Sequence, residues 1–292
     1  MTLDLRQFAS TPRVTDGAWG TQLQAKGLPA GGCPELWNIE HPEAVRTVAR
    51  AYIEAGSEVI LTNTFGANRF VLEGHDAGDR AAVLCEAGAQ ISRDTAGNRA
   101  KVFASLGPSG KIVMMGEVPE DKLTAAFAEA AEALHWGGAD AIVLETFNEL
   151  AEARIALRAA KEAAGLPVIV SMTFASGPGK TRTMMGDSPE DLAGMAREEG
   201  ADAVGANCGC GPDNYVKVAG LLRAATDLPV WIKPNAGLPQ VAGGRTVFPM
   251  GPDEFAAFAP RLLDAGADFV GGCCGTTPDH IRTLRAAVDA LR

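Results

Sequence analysis

Four times along this 292-residue chain, a helix-like stretch runs into Gly, then Ala or Ser, then an acid, and then directly into an apolar run. The copies are Gly56-Ser57-Glu58, Gly138-Ala139-Asp140, Gly200-Ala201-Asp202 and Gly266-Ala267-Asp268. Glycine closes a helix in the left-handed conformation at no steric cost. Each copy therefore reads as the end of a helix and the entry to a strand, and a repeated βα unit restricts the chain to parallel sheet with helical crossovers. Apolar, β-rich runs fall at 13–16, 58–63, 101–106, 140–145, 167–172, 202–207, 229–233 and 268–272. Between them lie amphipathic stretches, such as 42–55 with Ala44, Val45, Val48, Ala49, Tyr52 and Ile53 at helical spacing. Further helical stretches are expected over 69–97, 120–136 and 148–164, after Ser188-Pro189-Glu190, and after Thr277-Pro278-Asp279. Eight such units close an α/β, (β/α)8 TIM barrel, a single domain spanning 1–292. An open doubly wound sheet is the alternative, but it calls for a Gly-rich phosphate fingerprint that is absent after the first run.

In such a barrel the chemistry sits where strands end. Those ends carry Asp16, Asn63, Glu145, Asn207-Cys208, Asn235 and Cys273-Cys274. They are the least expected residues in otherwise apolar runs. Cys208, Cys273 and Cys274 converge over one rim, and Cys273-Cys274 precede a helix start that favours thiolate over thiol. Three thiolates around Zn2+ leave the fourth tetrahedral position open, the mark of a catalytic site. The bland reading is that adjacent cysteines are small core residues. Cys210 reads as past the rim, and Cys33 and Cys85 as incidental. The four histidines form no H-x-x-x-H pair. Asp16 and Glu145 either cap local turns or hold the ammonium of an amino-acid substrate. A thiol-seeking zinc beside two acids fits homocysteine.

Composition narrows the class. A net charge of −10 argues against nucleic acid or an anionic membrane surface as partner. No apolar run approaches the ~20 residues of a membrane span, and residues 1–13 carry no leader pattern. The chain reads as cytoplasmic, where six cysteines are expected to be free, metal-bound or catalytic.

Asp16-Gly17-Ala18-Trp19-Gly20-Thr21, Asn63-Thr64-Phe65, Glu145-Thr146-Phe147, Gly205-Ala206-Asn207-Cys208 and Gly271-Gly272-Cys273-Cys274-Gly275 resemble the zinc-dependent homocysteine S-methyltransferase family over essentially the whole chain. Pro234-Asn235-Ala236-Gly237-Leu238-Pro239 is most similar to the homocysteine-binding module of cobalamin-dependent methionine synthase. The resemblance implies that Cys208, Cys273 and Cys274 ligate zinc, with Asn235 as a fourth ligand in the substrate-free state. It implies that Asp16 and Glu145 bind the amino group, and that backbone N–H groups near Phe65 and Gly66 hold the carboxylate. Asn63 and Asn207 complete the substrate-contacting set.

The expected activity is methylation of homocysteine to methionine, an enzyme function. A zinc-activated thiolate would attack a methyl group in line. The favoured donor is a methyl-corrinoid (methylcobalamin), free or carried by a corrinoid- or folate-binding partner protein. A sulfonium or betaine donor (S-methylmethionine, S-adenosylmethionine, betaine) is the alternative. A non-catalytic zinc or thiol-binding module would explain the cysteines but not the acids. A zinc hydrolase fits poorly, because an all-thiolate shell leaves zinc a weak acid.

Overall fold

A computed structural model describes residues 2–242 and 245–292. Eight parallel strands form one sheet. They are β1 (Arg13–Val14), β2 (Val59–Ile60), β3 (Lys101–Leu106), β4 (Ala141–Phe147), β5 (Val168–Met172), β6 (Ala203–Asn207), β7 (Val230–Lys233) and β8 (Phe269–Val270). Their order is β1-β8-β7-β6-β5-β4-β3-β2. A parallel bridge between Thr15 and Val59 joins the first strand to the second and closes the barrel. A small antiparallel pair, Gln240–Ala242 with Arg245–Val247, rises from the loop after β7.

The repeated Gly-Ala-acid device works as its chemistry dictates. Gly56, Gly138, Gly200 and Gly266 all take positive φ, from 69° to 98°. The acid that follows each then does a second job. Glu58, Asp140, Asp202 and Asp268 accept the backbone N–H of Val14, Val102, Val168 and Val230, at 2.8–3.1 Å. Each acid therefore clamps the start of a neighbouring strand. Each also pairs with a cation, including Arg13, Arg93, Lys161 and Arg223 respectively.

Two expected elements differ in extent. The 69–97 stretch is helical only over Arg69–Glu73 and Ala81–Ala96. Gly74 ends the first piece, and Asp76 at φ 54° turns the chain before the second. The runs at 58–63 and 268–272 keep only two laddered residues each, because their last residues leave the sheet to build the rim.

Inside the barrel, Phe103, Trp231 and Phe269 meet across strands, with ring centroids 5.4–6.1 Å apart. Phe8, from the short helix Leu5–Phe8, caps this cluster from below. Gly205 sits beside Trp231, and a Cβ there would lie 2.5 Å from the Trp231 carbonyl oxygen. Two residues further along the same strands, the interior side chains become polar: Ser105 on β3 and Lys233 on β7.

Candidate functional site

Three loops at the C-terminal rim are stitched together by their backbones. Cys208 N–H donates to Lys233 O (3.1 Å), Asn235 N–H to Cys210 O (3.0 Å), Cys273 N–H to Pro234 O (2.8 Å) and Ala236 N–H to Cys274 O (3.0 Å). This lattice brings the thiols after β6 and β8 together. The Sγ atoms of Cys208, Cys273 and Cys274 lie within 4.8 Å of one another, the one such group of His, Cys and acidic side chains among the described residues. Cys208 and Cys274 Sγ are 4.0 Å apart. Cys208 takes a left-handed backbone, φ 64°, unusual for a residue with a Cβ. Tyr215 Oη holds the turn by donating to the carbonyls of Asn207 (2.9 Å) and Cys208 (2.7 Å).

The thiols share charge unequally. Hydrogen bonds from Cys273 and Cys274 hold the Cys208 thiol well below its ordinary range, against the opposing effect of burial. The Cys273 thiol is pushed up by the same hydrogen bonding and by burial. Asn235 also bonds Cys208, while its own Oδ1 is buried with no hydrogen-bond partner. An orphaned buried carbonyl oxygen beside three clustered sulfurs is the donor set a tetrahedral metal would use.

A cavity of about 410 Å³ opens over the thiols. Cys208, Cys273, Cys274, Glu145, Asn63 and Phe65 line it. Glu145 Oε1 accepts a bond from Ser105 Oγ. Burial raises the Glu145 carboxyl, partly offset by the nearby Lys233 charge and by Ser105.

Asp16, Gly66 and Asn207 lie behind this wall. Asp16 is fully buried and does not line the cavity. Its Oδ2 accepts from Trp19 Nε1 and Leu61 N–H, both at 2.7 Å, and its Oδ1 from Lys233 Nζ. The Gly66 N–H is donated to Glu35 Oε1 at 2.7 Å. Asn207 is also fully buried. Its amide accepts from Thr146 N–H (2.9 Å) and Ser171 Oγ (2.6 Å) and donates to Thr146 Oγ1 (2.7 Å). These bonds hold Thr146 at φ 68°, which sets the direction of Glu145 just before it. The Asn63 amide bonds Pro34 O and Asn38.

The other cysteines are apart from the cluster. Cys210 is buried past the rim. Cys33 is kept a neutral thiol, pushed up to about 12 by burial and by Glu35. Cys85 donates to Ala67 O. His280 closes a capping box with Thr277 at the start of helix Pro278–Asp289, as its position predicts. Lys233, Ser105 and Glu35 were not anticipated. Their only signal is a polar side chain at or beside an apolar run, which does not say which face it occupies.

Solved structures share this architecture. The metallated form of the homocysteine methyltransferase MmuM from Escherichia coli superposes with a TM-score of 0.78 at 24% identity, covering 97% of this chain and 99% of that one. A methyltransferase from Methanosarcina mazei gives a TM-score of 0.63 at 16% identity, covering 100% and 99% of the two chains. At these identities the likeness defines the fold, a (β/α)8 barrel.

Sequence comparison goes further. The model of the family described as homocysteine S-methyltransferase matches residues 13–288, and the chain belongs to that family of methyltransferases. Methionine synthases of Mycobacterium leprae and Mycobacterium tuberculosis are 36% and 37% identical to it over 97% and 96% of the chain. The chain spans 25% of the length of each.

Proposed function

We propose that the protein methylates the thiol of homocysteine, forming methionine, at a zinc held by Cys208, Cys273 and Cys274. The observation that carries this reading is the cluster of three sulfurs with the unpartnered Asn235 Oδ1 beside it, at the floor of a cavity large enough for an amino acid. Zinc bound there would supply the acidity that ionises a thiol at neutral pH while keeping it nucleophilic. The chain's own residues do the positioning. Glu145 receives the α-ammonium, directed by the Asn207–Thr146 turn. Trp19 and Phe65 wall the cavity and limit water. The loop at Phe65 and Gly66 faces the acceptor's carboxylate end, with Gly66 N–H presently engaged by Glu35.

The favoured donor is methylcobalamin, free or on a separate corrinoid protein. Similarity to one quarter of two methionine synthases supports this. So do the exposed apolar side chains on rim loops, Met114, Met115, Met184 and Val241, which suit a large docking partner. A sulfonium or betaine donor is the second reading. The cavity favours it in one respect, being larger than the acceptor alone needs. The net charge of −10 supports a small molecule rather than a nucleic acid as the ligand; no helix among the described residues is long and apolar enough to cross a membrane, and a cytoplasmic location is part of this proposal.

The deciding assay offers zinc-loaded protein homocysteine with methylcobalamin, betaine, S-methylmethionine or S-adenosylmethionine in parallel. Turnover with one of them is expected, and Cys273→Ala should remove both turnover and zinc. Failure of the zinc-loaded protein to bind homocysteine would overturn the reading.

A further inference from the structure

At the end of the barrel opposite the thiols, a second cavity of about 590 Å³ lies between the segments that lead into β6 and β7. Its lining carries three arginines, Arg6, Arg197 and Arg223, and a single acid, Asp227. The arginines come from three helices, Leu5–Phe8, Pro189–Glu199 and Pro212–Ala225. Their guanidiniums converge on the carbonyls of residues 225–228. Arg6 Nη1 donates to Asp227 O (3.5 Å), Arg197 Nη2 to Ala225 O (3.3 Å), Arg223 Nη1 to Thr226 O (3.4 Å) and Arg223 Nη2 to Leu228 O (2.8 Å). The convergence has a cause: helix Pro212–Ala225 ends here, and the carbonyls at a helix C-terminus attract cations. More positive charge is gathered than those carbonyls use. Arg223 is paired with Asp268. Arg6 and Arg197 have no carboxylate partner among the described residues, in a chain whose net charge is −10. Each spends one N–H on a long bond and keeps its other donors free.

We propose that this cavity is a binding site for a diphosphate-bearing small molecule, held by Arg6, Arg197 and Arg223. A guanidinium is planar and presents paired N–H donors that match two oxygens of a phosphate group. The cavity is much larger than one tetrahedral anion, and its cations are arrayed along residues 225–228. Two linked phosphate groups therefore fit where a single one would leave an arginine unused. The site shares no lining residue with the thiol cavity. A ligand bridging Arg6 to Arg197 would tie helix Leu5–Phe8 to the barrel wall, and that helix carries Phe8 against Phe103 and Phe269. Occupation of this end would stiffen the aromatic floor.

The test is calorimetric titration of the full chain with pyrophosphate at low salt, beside thermal melting with and without it. Wild-type protein should bind, and its Tm should rise, because a ligand held only by the native state stabilises that state. Arg6→Ala and Arg197→Ala should each weaken binding about tenfold and shrink the rise in Tm. Both side chains are exposed, so the variants should fold, and either one alone suffices. Arg50→Ala removes the same charge from an exposed position on helix Pro42–Glu54 and should leave binding unchanged. Sulfate, which fills only one phosphate position, should bind about tenfold more weakly than pyrophosphate or worse. Absence of pyrophosphate binding by the wild type would overturn the proposal. So would sulfate binding as tightly, or binding that Arg6→Ala and Arg197→Ala leave intact. An equal loss in Arg50→Ala would overturn it too, since the anion would then be answering to overall charge rather than to this cavity.

Discussion

The floor and the rim of the barrel are built from the same strands, two residues apart, yet they obey different rules. On the floor, Phe103, Trp231, Phe269 and Phe8 fill the interior with rings packed by shape, and the one polar atom among them, the Trp231 Nε1–H, is buried without a hydrogen-bond partner. One layer up, Ser105, Lys233, Asp16 and Glu145 are just as buried but are held by charge and hydrogen bonds. Burial of such groups is costly unless every partner is present. The contrast shows how the fold divides its labour: apolar packing below carries stability, and that allows a strained, charged layer above.

The sharpest way to break this division is at the thiols. Cys273→Ala should abolish zinc binding and methyl transfer while leaving the unfolding midpoint of the metal-free protein nearly unchanged, checked by metal analysis beside thermal melting. Conversely, Trp231→Ala should cost roughly 3–5 kcal/mol of stability, measured by urea denaturation, with the thiol cluster still able to load metal in the folded fraction. If both variants lose stability equally, floor and rim are one cooperative layer and the division fails. Asn207→Ala tests the boundary between them. It removes three bonds, two to Thr146 and one to Ser171, and should cost about 1–3 kcal/mol, with a weaker grip on homocysteine because Glu145 loses its fixed direction.

The smallest effect lies below the floor, at Glu58. Burial opposes its charge, but the Val14 N–H and Arg292, Arg13 and Arg285 outweigh burial and hold the carboxyl below its ordinary range. A carboxyl lowered on folding stabilises above its unfolded pKa, and that contribution is lost as pH falls through the folded value. Glu58→Gln should therefore be less stable at neutral pH by about 1 kcal/mol or less, and the gap should close in acid. Paired unfolding curves at neutral and acidic pH would show it; a gap that widens in acid would contradict the assignment.

Much of the lower half was legible in the chain. The Gly-Ala-acid repeat announced the βα period, and its glycines do turn left-handed. The clamping of neighbouring strands by Glu58, Asp140, Asp202 and Asp268 was not legible, because it depends on which strands become neighbours. At the rim, Cys208, Cys273 and Cys274 stood out as cysteines at strand ends, and they do meet. The pairing of Lys233 with Asp16 escaped notice. A lysine ending an apolar run can point into the barrel or out to water, and a shift of one residue in register reverses the answer. Asn207 reads from sequence as a ligand-facing amide; its role as the tie on Thr146 needs the positive φ that only the fold reveals.

The Cys208 turn carries one more implication. Its left-handed backbone is fixed by Tyr215 and by the stitched loops, all of them contacts within the protein chain. A ligand whose main chain is set in advance makes metal loss a local event. If the cluster holds the proposed zinc, the barrel should be able to surrender it and take it back without unfolding, so the time the protein spends empty becomes a matter of supply rather than of survival.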